Sequence, residues 1–354
     1  MGSSGSGSGV GSPGDGMIGS LMAVSNGLRR PVAYPLRCPP MPTVPFAEEH
    51  DTLRRSVARL VDERLAPLAA KAEAGAPVHA EAVAAIADLR HLDDVLADVV
   101  VAQELGRVRS GGLVAVLLDN LLAADVGTQP AEVVAVARRA DLRLDGEHGD
   151  GVLLSLVGGA VASAGLVVEH RVVVHADDGW EATPLSSPHA LRGGALADVT
   201  LRHAAVRPVA VPSAVPQRAE LREAAAAVGA GWVTFHDAVQ YAGQRTAFGR
   251  PIGRFQVNRH ALSEIATWLT AAEALVHDCA WALATRGAAD TAAARLAAGS
   301  ALRQAADVCL QLHGGNGYTT DFDAQRAWRD GRALAVGDDV RRQAVLDARR
   351  VVLR

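Results

Sequence analysis

The chain has 354 residues, of which 49% are hydrophobic and 4% aromatic, and its 35 Lys and Arg against 39 Asp and Glu give a net charge of −4. This length predicts two or three domains, and the mildly acidic balance argues against a nucleic-acid-binding protein, which needs a basic surface. Three scattered cysteines, Cys38, Cys279 and Cys309, are too few for a disulfide framework or a zinc site. We therefore expect a cytoplasmic protein without a bound metal.

The first segment, residues 1–45, is expected to be disordered or tag-like. It begins with Gly and Ser almost throughout and continues into a Pro-rich linker from Pro31 to Pro45. It has no basic start followed by an apolar run, so it does not resemble a signal peptide. Ordered structure is predicted to begin near Phe46.

Apolar residues then recur at helical spacing, as Leu53, Val57 and Leu60 do in the first such segment. They predict an N-terminal helical domain over residues 46–130. Its helices are expected at about 48–74, 80–92, 96–108 and 112–124.

Residues 131–212 have a different sequence pattern, in which short Val- and Leu-rich runs are separated by Gly, Asp and Pro about every ten residues. This pattern predicts a small β domain. The run 151–168 carries no charge and is just long enough to span a membrane. Its paired Gly158 and Gly159 instead favour two short strands joined by a tight hairpin, so we expect no membrane segment.

The helical period returns near Arg218 and lasts to the end of the chain. It predicts a C-terminal four-helix bundle over residues 213–354. Its helices are expected at 218–244, 256–286, 291–312 and about 339–353.

The first unusual segment of the bundle runs from Arg245 to Gly253 and is followed by Phe255 and Gln256. One helix ends at Arg245 and the next begins near Gln256. A guanidinium at such a corner can bind a phosphate through two parallel hydrogen bonds. The alternative is a solvated arginine in a loop.

The second unusual segment, 311–318, places three glycines within four positions after a long helix. Backbone without Cβ atoms lets a ligand lie against the chain and leaves peptide N–H groups free to donate. The alternative is an ordinary helix end. We assign no role to His313, because a lone histidine is more often a packed core residue.

The third segment contains Arg329-Asp330 and Asp338-Asp339. A carboxylate at the start of a helix is usually an N-cap, and the alternative is a general base. The local sequence does not choose between them.

Taken together, these segments resemble the acyl-CoA dehydrogenase family of flavoproteins. The motif Arg-x-x-Phe-Gly followed by Phe-Gln is present from Arg245 to Gln256, and Gln-x-x-Gly-Gly-x-Gly-Tyr is present at 311–318. The similarity is close over 229–338, and over residues 1–210 it concerns only the layout. The family implies a mainly α fold: an N-terminal helical domain, a middle β domain and a C-terminal four-helix bundle.

The resemblance also implies the cofactor, FAD, whose adenine-diphosphate end these two motifs hold in a neighbouring subunit. A pyrophosphate needs a fixed guanidinium and exposed backbone donors. The predicted cofactor-binding residues are Arg245, Phe248, Gln256, Gln311, Gly314 and Gly315.

The family's catalytic base is a Glu in a Tyr-Glu-Gly-Thr run, and a gapless count from Gly315 puts Asp338 at that position. Asp338 is therefore the predicted base, one methylene shorter. The other base position used in the family corresponds to Ala219, which has no carboxylate. The arginine expected beside it is Glu220 here, and Arg218 or Arg222 could replace it.

The middle-domain signature that binds a subunit's own flavin is missing from this sequence. This asymmetry is typical of short subunits in heteromeric actinobacterial acyl-CoA dehydrogenases that act in steroid metabolism. The expected partners are a longer sister subunit or further copies of the chain, an acyl-CoA or other acyl thioester, and an electron-transfer flavoprotein. Two alternatives stay open: a flavin oxidase of the nitroalkane-oxidase type with an Asp base, and a non-redox or non-catalytic scaffold on the same fold.

Overall fold

The structure, a computed structural model, describes residues 46–90, 92–127, 133–137, 141–176 and 179–335. It begins with helices, continues into a β-sheet and ends in long packed helices, so the predicted fold class is confirmed. None of the helices in these ranges combines the length and the apolar composition that crossing a bilayer requires.

The described residues of the N-terminal part form five α-helices, α1 Glu48–Leu60, α2 Ala66–Glu73, α3 His79–Ala85, α4 Val95–Leu105 and α5 Gly111–Asp125. A π-helical turn, Val61–Leu65, joins α1 to α2 without a break. The Ala66 N–H bonds the Val61 carbonyl, five residues back, immediately before Pro67, which has no N–H to donate. The predicted helix over 48–74 is therefore continuous but carries a π bulge.

The sheet has seven strands: β1 Val134–Ala137, β2 Asp141–Asp145, β3 His148–Leu156, β4 Ala164–Val167, β5 Val172–His175, β6 Trp180–Pro184 and β7 Ala197–Pro208. Their order is β1-β4-β5-β7-β3-β2, and β6 also pairs with β7. Among the described strands of this sheet, the β1–β4 pair is parallel and the other pairs are antiparallel. The long strand β7 is central because it pairs with β3, β5 and β6.

The expected hairpin at Gly158 and Gly159 is wrong, although strands are present on both sides of this pair. β3 pairs with β2 and β7, whereas β4 pairs with β1 and β5. The turn between them bonds elsewhere, since the Gly158 N–H donates to the Gly194 carbonyl at 2.6 Å and the Ala160 N–H to the Ala195 carbonyl at 3.0 Å. These bonds lead β3 and β4 to different parts of the sheet.

The C-terminal part has four described helices, α6 Val215–Gln244, α7 Gln256–Arg286, α8 Thr291–His313 and α9 Ala324–Ala335. The first three agree closely with the predicted helices. The helix predicted at 339–353 lies outside the described residues. Sequence reasoning missed α9, which is held to α8 by hydrogen bonds from Trp328 Nε1 and Arg332 Nη2 to Asp307 at 2.8 and 2.7 Å.

Helix α6 packs against α4 so closely that the two backbones are in direct contact. A Cβ at Gly229 would lie 1.9 Å from the Gln103 carbonyl oxygen of α4, so no larger residue fits there. Small residues on α6 thus bring its backbone close to its neighbours and leave little room for a change in its position.

Arg222 of α6 is a buried cation, 2% exposed. It donates to Asp125 Oδ2 at 2.6 Å and to Asp98 Oδ1 at 2.9 Å, and so joins α6 to α5 and α4. Arg218 donates to Asp98 as well, at 2.8 Å. The two arginines considered for the thioester side of the site are thus engaged in internal ion pairs, and Arg222 is closed off from any ligand.

We expect Arg222→Met to lower the free energy of unfolding by about 3–5 kcal/mol, because it leaves the buried Asp125 carboxylate without its cation. Urea denaturation measures the change. Arg202→Met is the matched control, since Arg202 pairs with Glu181 on the exposed face of the sheet, and we expect it to have little effect. Equal effects of the two substitutions would contradict the structural role of Arg222.

Candidate functional site

The segment after α6 is a small β-hairpin with unusual backbone geometry. Strands β8 Thr246–Ala247 and β9 Arg250–Pro251 pair through Phe248 and Gly249, whose φ angles are 51° and 78°. Two positive φ angles in a two-residue loop are typical of a type I′ turn. Phe248 is 96% exposed. A non-glycine residue in the left-handed region costs about 1 kcal/mol or more, and no burial of its side chain within the chain offsets this cost.

Arg245 occupies the corner between α6 and the hairpin. Its backbone is fixed, because its N–H donates to the Tyr241 carbonyl and its own carbonyl accepts from the Ile252 N–H, both at 2.8 Å. Its side chain is exposed, and its guanidinium has no hydrogen-bond or ion-pair partner within the described part of the chain. The nearby Arg250 differs, since it stacks over the Phe255 ring at 4.3 Å.

The glycine-rich turn after α8 is open on one side. Gly314 has φ 57° and ψ −135°, a conformation essentially restricted to glycine. Cβ atoms at Gly314 and Gly315 would meet no described atom within 4 Å, whereas one at Gly317 would lie 2.8 Å from the Leu310 carbonyl oxygen. Gly317 therefore serves packing, and the first two glycines border open space.

Tyr241 connects the segment that begins at Arg245 with the glycine-rich turn after α8. Its ring stacks on His313 with the centroids 3.9 Å apart, and Asn316 Nδ2 donates to its hydroxyl at 3.2 Å. Tyr241 lies one helical turn before Arg245. The six predicted cofactor residues thus lie at one end of the bundle, where α6 and α8 end and α7 begins, and all six are exposed. Their binding of FAD stays a prediction.

His313 and Cys309, which lie beneath this end of the bundle, have a packing role. His313 Nδ1 donates to the Cys309 carbonyl at 2.7 Å, a contact within one helical turn. Burial raises the pKa of the Cys309 thiol to about 12, so the sulfur stays protonated at neutral pH and is no nucleophile.

Asp330 caps a helix other than its own. It is 3% exposed and accepts hydrogen bonds from the N–H groups of Gly111 at 2.9 Å and Leu191 at 2.8 Å. Gly111 is the first residue of α5, so Asp330 caps that helix together with the N-cap residue Ser110. Burial raises the pKa of the Asp330 carboxyl, and the backbone hydrogen bonds oppose this shift. Asp338, the predicted base, lies outside the described residues.

A cavity of about 370 Å³ lies between α5, the sheet, α6, α8 and α9. The α6 residues that line the cavity recur every three or four positions, and they form one face that extends about 21 Å along the helix. This face consists of Glu223, Ala226, Ala227, Ala230, Val233, Thr234 and Asp237.

The cavity wall on α6 is apolar in the middle and charged at both ends. At one end Arg109 of the loop before α5 binds Asp237 through two hydrogen bonds and Asp323 through one at 3.2 Å. At the other end Glu223 pairs with Arg295 of α8 at 2.7 Å. Sequence reasoning missed these groups, although the helical spacing of Glu223 and Asp237 would have placed both on one face.

Comparison with known proteins identifies the family. Residues 218–338 match the family described as "Acyl-CoA dehydrogenase, C-terminal domain". The acyl-CoA dehydrogenase IpdE2 of Mycobacterium tuberculosis is 30% identical over 302 residues, which cover 78% of this chain and 88% of that protein. The chain therefore belongs to the acyl-CoA dehydrogenase family.

Two further similarities concern parts of the chain or its fold. The 3-(aryl)acrylate reductase of Clostridium sporogenes is 37% identical over 115 residues, 32% of this chain and 30% of that protein. A crystal structure of a glutaryl-CoA dehydrogenase from Mycobacterium smegmatis in complex with FADH2 superposes with a TM-score of 0.72 at 16% identity, covering 82% of this chain and 91% of that one. The latter shows that the fold is shared.

We expect Asp330→Asn to lower the free energy of unfolding by about 1–3 kcal/mol. The amide has one acceptor oxygen, so its NH₂ group would face either the Gly111 or the Leu191 N–H. Chemical denaturation checks this, with the exposed Asp321→Asn as the control. If both variants are as stable as the parent chain, Asp330 does not hold α5 in place.

Proposed function

We propose that this chain is a subunit of an FAD-dependent acyl-CoA dehydrogenase that removes hydrogen from the Cα–Cβ bond of an acyl thioester and completes the FAD site of a neighbouring subunit. One observation carries the proposal: in a member of this family, the exposed Arg245 guanidinium lies at the same end of the bundle as the open turn at Gly314 and Gly315.

The chemistry of these residues fits the diphosphate of FAD. Arg245 would bind phosphate oxygens through two N–H groups, and the turn at Gly314 and Gly315 lets a ligand approach the backbone closely. Gln256 and Gln311 can donate hydrogen bonds nearby, and the Phe248 ring offers a flat apolar surface. When bound, FAD would accept the hydride that leaves the β-carbon.

The exposed apolar side chains at this end support a neighbouring subunit. Phe248, Val257 and Tyr318 are 96%, 74% and 77% exposed. Large apolar side chains exposed around a polar cluster are typical of a surface that another chain covers. The partner would be a longer sister chain or another copy of this one.

The cavity supports the sister-chain interpretation. Its sheet side is formed by Val136, Ala137 and residues 153–157, among which Ser155 has the single polar side chain. This wall offers few side-chain hydrogen bonds to the flavin ring of the subunit's own site. We therefore infer that the flavin is held mainly by the partner.

The apolar middle of the cavity suits an acyl chain. We propose Asp338 as the base that takes the α proton, with an electron-transfer flavoprotein reoxidising the flavin. The free thiols of Cys279 and Cys309 are compatible with the reducing cytoplasm that we propose as the location.

We expect Arg245→Lys to weaken FAD retention at least about tenfold, because an ammonium cannot replace the two parallel hydrogen bonds of a guanidinium. The chain is purified alone, and together with a longer acyl-CoA dehydrogenase chain from the same organism as the candidate partner, and the bound flavin is measured by absorbance. Arg286→Lys is the control, since Arg286 ends α7 about 45 Å along the helix axis from Gln256, the residue at the other end.

Flavin present only after co-purification supports the heteromer. Flavin bound by this chain alone with formation of peroxide would indicate the oxidase alternative. A protein that is colourless in every combination would support the alternative of a scaffold without flavin. Equal flavin retention by the Arg245 variant and its control would remove Arg245 from the cofactor site.

We expect Asp338→Asn to reduce dehydrogenation at least about a hundredfold, because the amide cannot accept the α proton. Reduction of ferricenium by the flavin-loaded complex measures the rate. The adjacent Asp339→Asn provides a control for local disturbance. Undiminished turnover of the Asp338 variant would show that another group is the base.

A further inference from the structure

The segment 245–263 at the end of the bundle is strongly basic. It contains Arg245, Arg250, Arg254 and Arg259 and neither Asp nor Glu, although the chain as a whole has a net charge of −4. The diphosphate of FAD carries two negative charges, so it would balance the charge of two of these four arginines. The positive charge of the other two then favours a second anionic group at this surface.

A shallow groove of about 450 Å³ lies beside the first two turns of α7, within this basic segment. The side chains that line it are Gln256, Arg259, His260 and Ser263. Their spacing of three and four residues places them on one side of the helix. Each of them can donate a hydrogen bond and none is acidic, so this groove, which we call the α7 groove, has the composition of an anion-binding site.

The arginines of the α7 groove and its edge are not neutralised within the described part of the chain. Arg259 is half-buried, Arg254 is exposed two residues before the helix, and neither guanidinium has a hydrogen-bond or ion-pair partner there. Glu264, one turn after His260, is exposed and forms no ion pair with either of them in those residues. A half-buried guanidinium has lost part of its hydration, and a carboxylate that binds it supplies charge-assisted hydrogen bonds in return.

The α7 groove adjoins apolar side chains that a small anion would leave uncovered. Val257, the residue after Gln256, is 74% exposed, and Phe248 of the neighbouring hairpin is 96% exposed. Protein interfaces combine an apolar centre that contains aromatic residues with a polar rim, and arginine is enriched in them. Phe248 and Val257 with the α7 groove beside them match this arrangement, which favours a protein side chain over free phosphate as the occupant.

We propose that the α7 groove binds an aspartate or glutamate side chain on the surface of the longer sister subunit. Arg259 and His260 donate to this carboxylate, and Arg254 adds to the positive potential at the edge of the groove. The contact fixes the register of the two subunits and so brings the flavin of the partner to Arg245. This inference rests on the proposed function, because it takes the end of the bundle as the subunit interface.

The first test measures how tightly the full chain associates with each longer acyl-CoA dehydrogenase chain of the same organism, and with itself, by analytical ultracentrifugation. We expect Arg259→Gln to raise the Kd of the complex about tenfold at low salt and much less at about 0.5 M NaCl, because ions screen the lost attraction. Arg286→Gln is the control, since it removes the same charge at the other end of α7. It should leave the Kd unchanged.

The second test identifies the group in the α7 groove by cross-linking without a spacer. The substitution Arg259→Lys supplies a primary amine, and a carbodiimide joins this amine through an amide bond to a carboxylate in contact with it. We expect mass spectrometry to find a cross-link from position 259 to an Asp or Glu of the sister subunit. The control Arg286→Lys should give no cross-link to that subunit.

Each other outcome overturns a defined statement. Absence of association with every longer chain and with a second copy overturns the proposed function itself. A flavin-containing complex that forms equally well with Arg259→Gln overturns only the docking role of the groove. If this variant assembles fully at high protein concentration but loses flavin, Arg259 belongs to the cofactor site instead. A cross-link that joins two copies of this chain would overturn the sister subunit as the source of the carboxylate.

Discussion

The position of helix α6 is the constraint on which the rest of this structure depends. Arg222 carries a buried charge that is satisfied only when Asp98 of α4 and Asp125 of α5 meet it. A shift of α6 would leave that charge unpaired in a low-dielectric interior, at a cost of several kcal/mol. The backbone contact at Gly229 limits the same movement sterically. The helix is therefore held by both charge and shape.

This fixed helix joins the two candidate functional regions. Its cavity face runs from Glu223 to Asp237, and two turns later the helix ends beside Arg245. A ligand in the cavity and a dinucleotide at the end of the bundle would thus be positioned by one rigid element. Sites built on helices hold their geometry better than sites on loops.

Backbone strain at the end of the bundle has a related meaning. Phe248 has a positive φ and an exposed ring, and Gly314 has a conformation that other residues avoid. Neither feature improves the packing of the isolated chain. Departures from local preference of this kind concentrate where a ligand or another chain binds. The strained backbone of Phe248 is therefore compatible with the binding role proposed for this surface.

The sequence by itself determined most of the described helices, the family and the composition of the two motifs that are predicted to bind the cofactor. The helical period located the ends of α6, α7 and α8 to within three residues, because periodicity reports contacts between residues close in the chain. The motifs were recognisable because their residues are contiguous. Arg245 and Gly314 could be predicted as cofactor-binding residues because each belongs to one of these contiguous motifs.

Only the tertiary structure decided which distant groups meet. Strands β3 and β4 are consecutive but do not pair, because the turn between them bonds to the segment around Gly194. Asp330 caps α5, 219 residues earlier in the chain. The Glu223–Arg295 pair likewise joins two helices whose separate patterns do not indicate each other. Hydropathy and helix or strand propensity describe residues that are close in the chain. These contacts depend instead on how complete helices and strands pack against each other, and the pattern of a single sequence does not specify that packing.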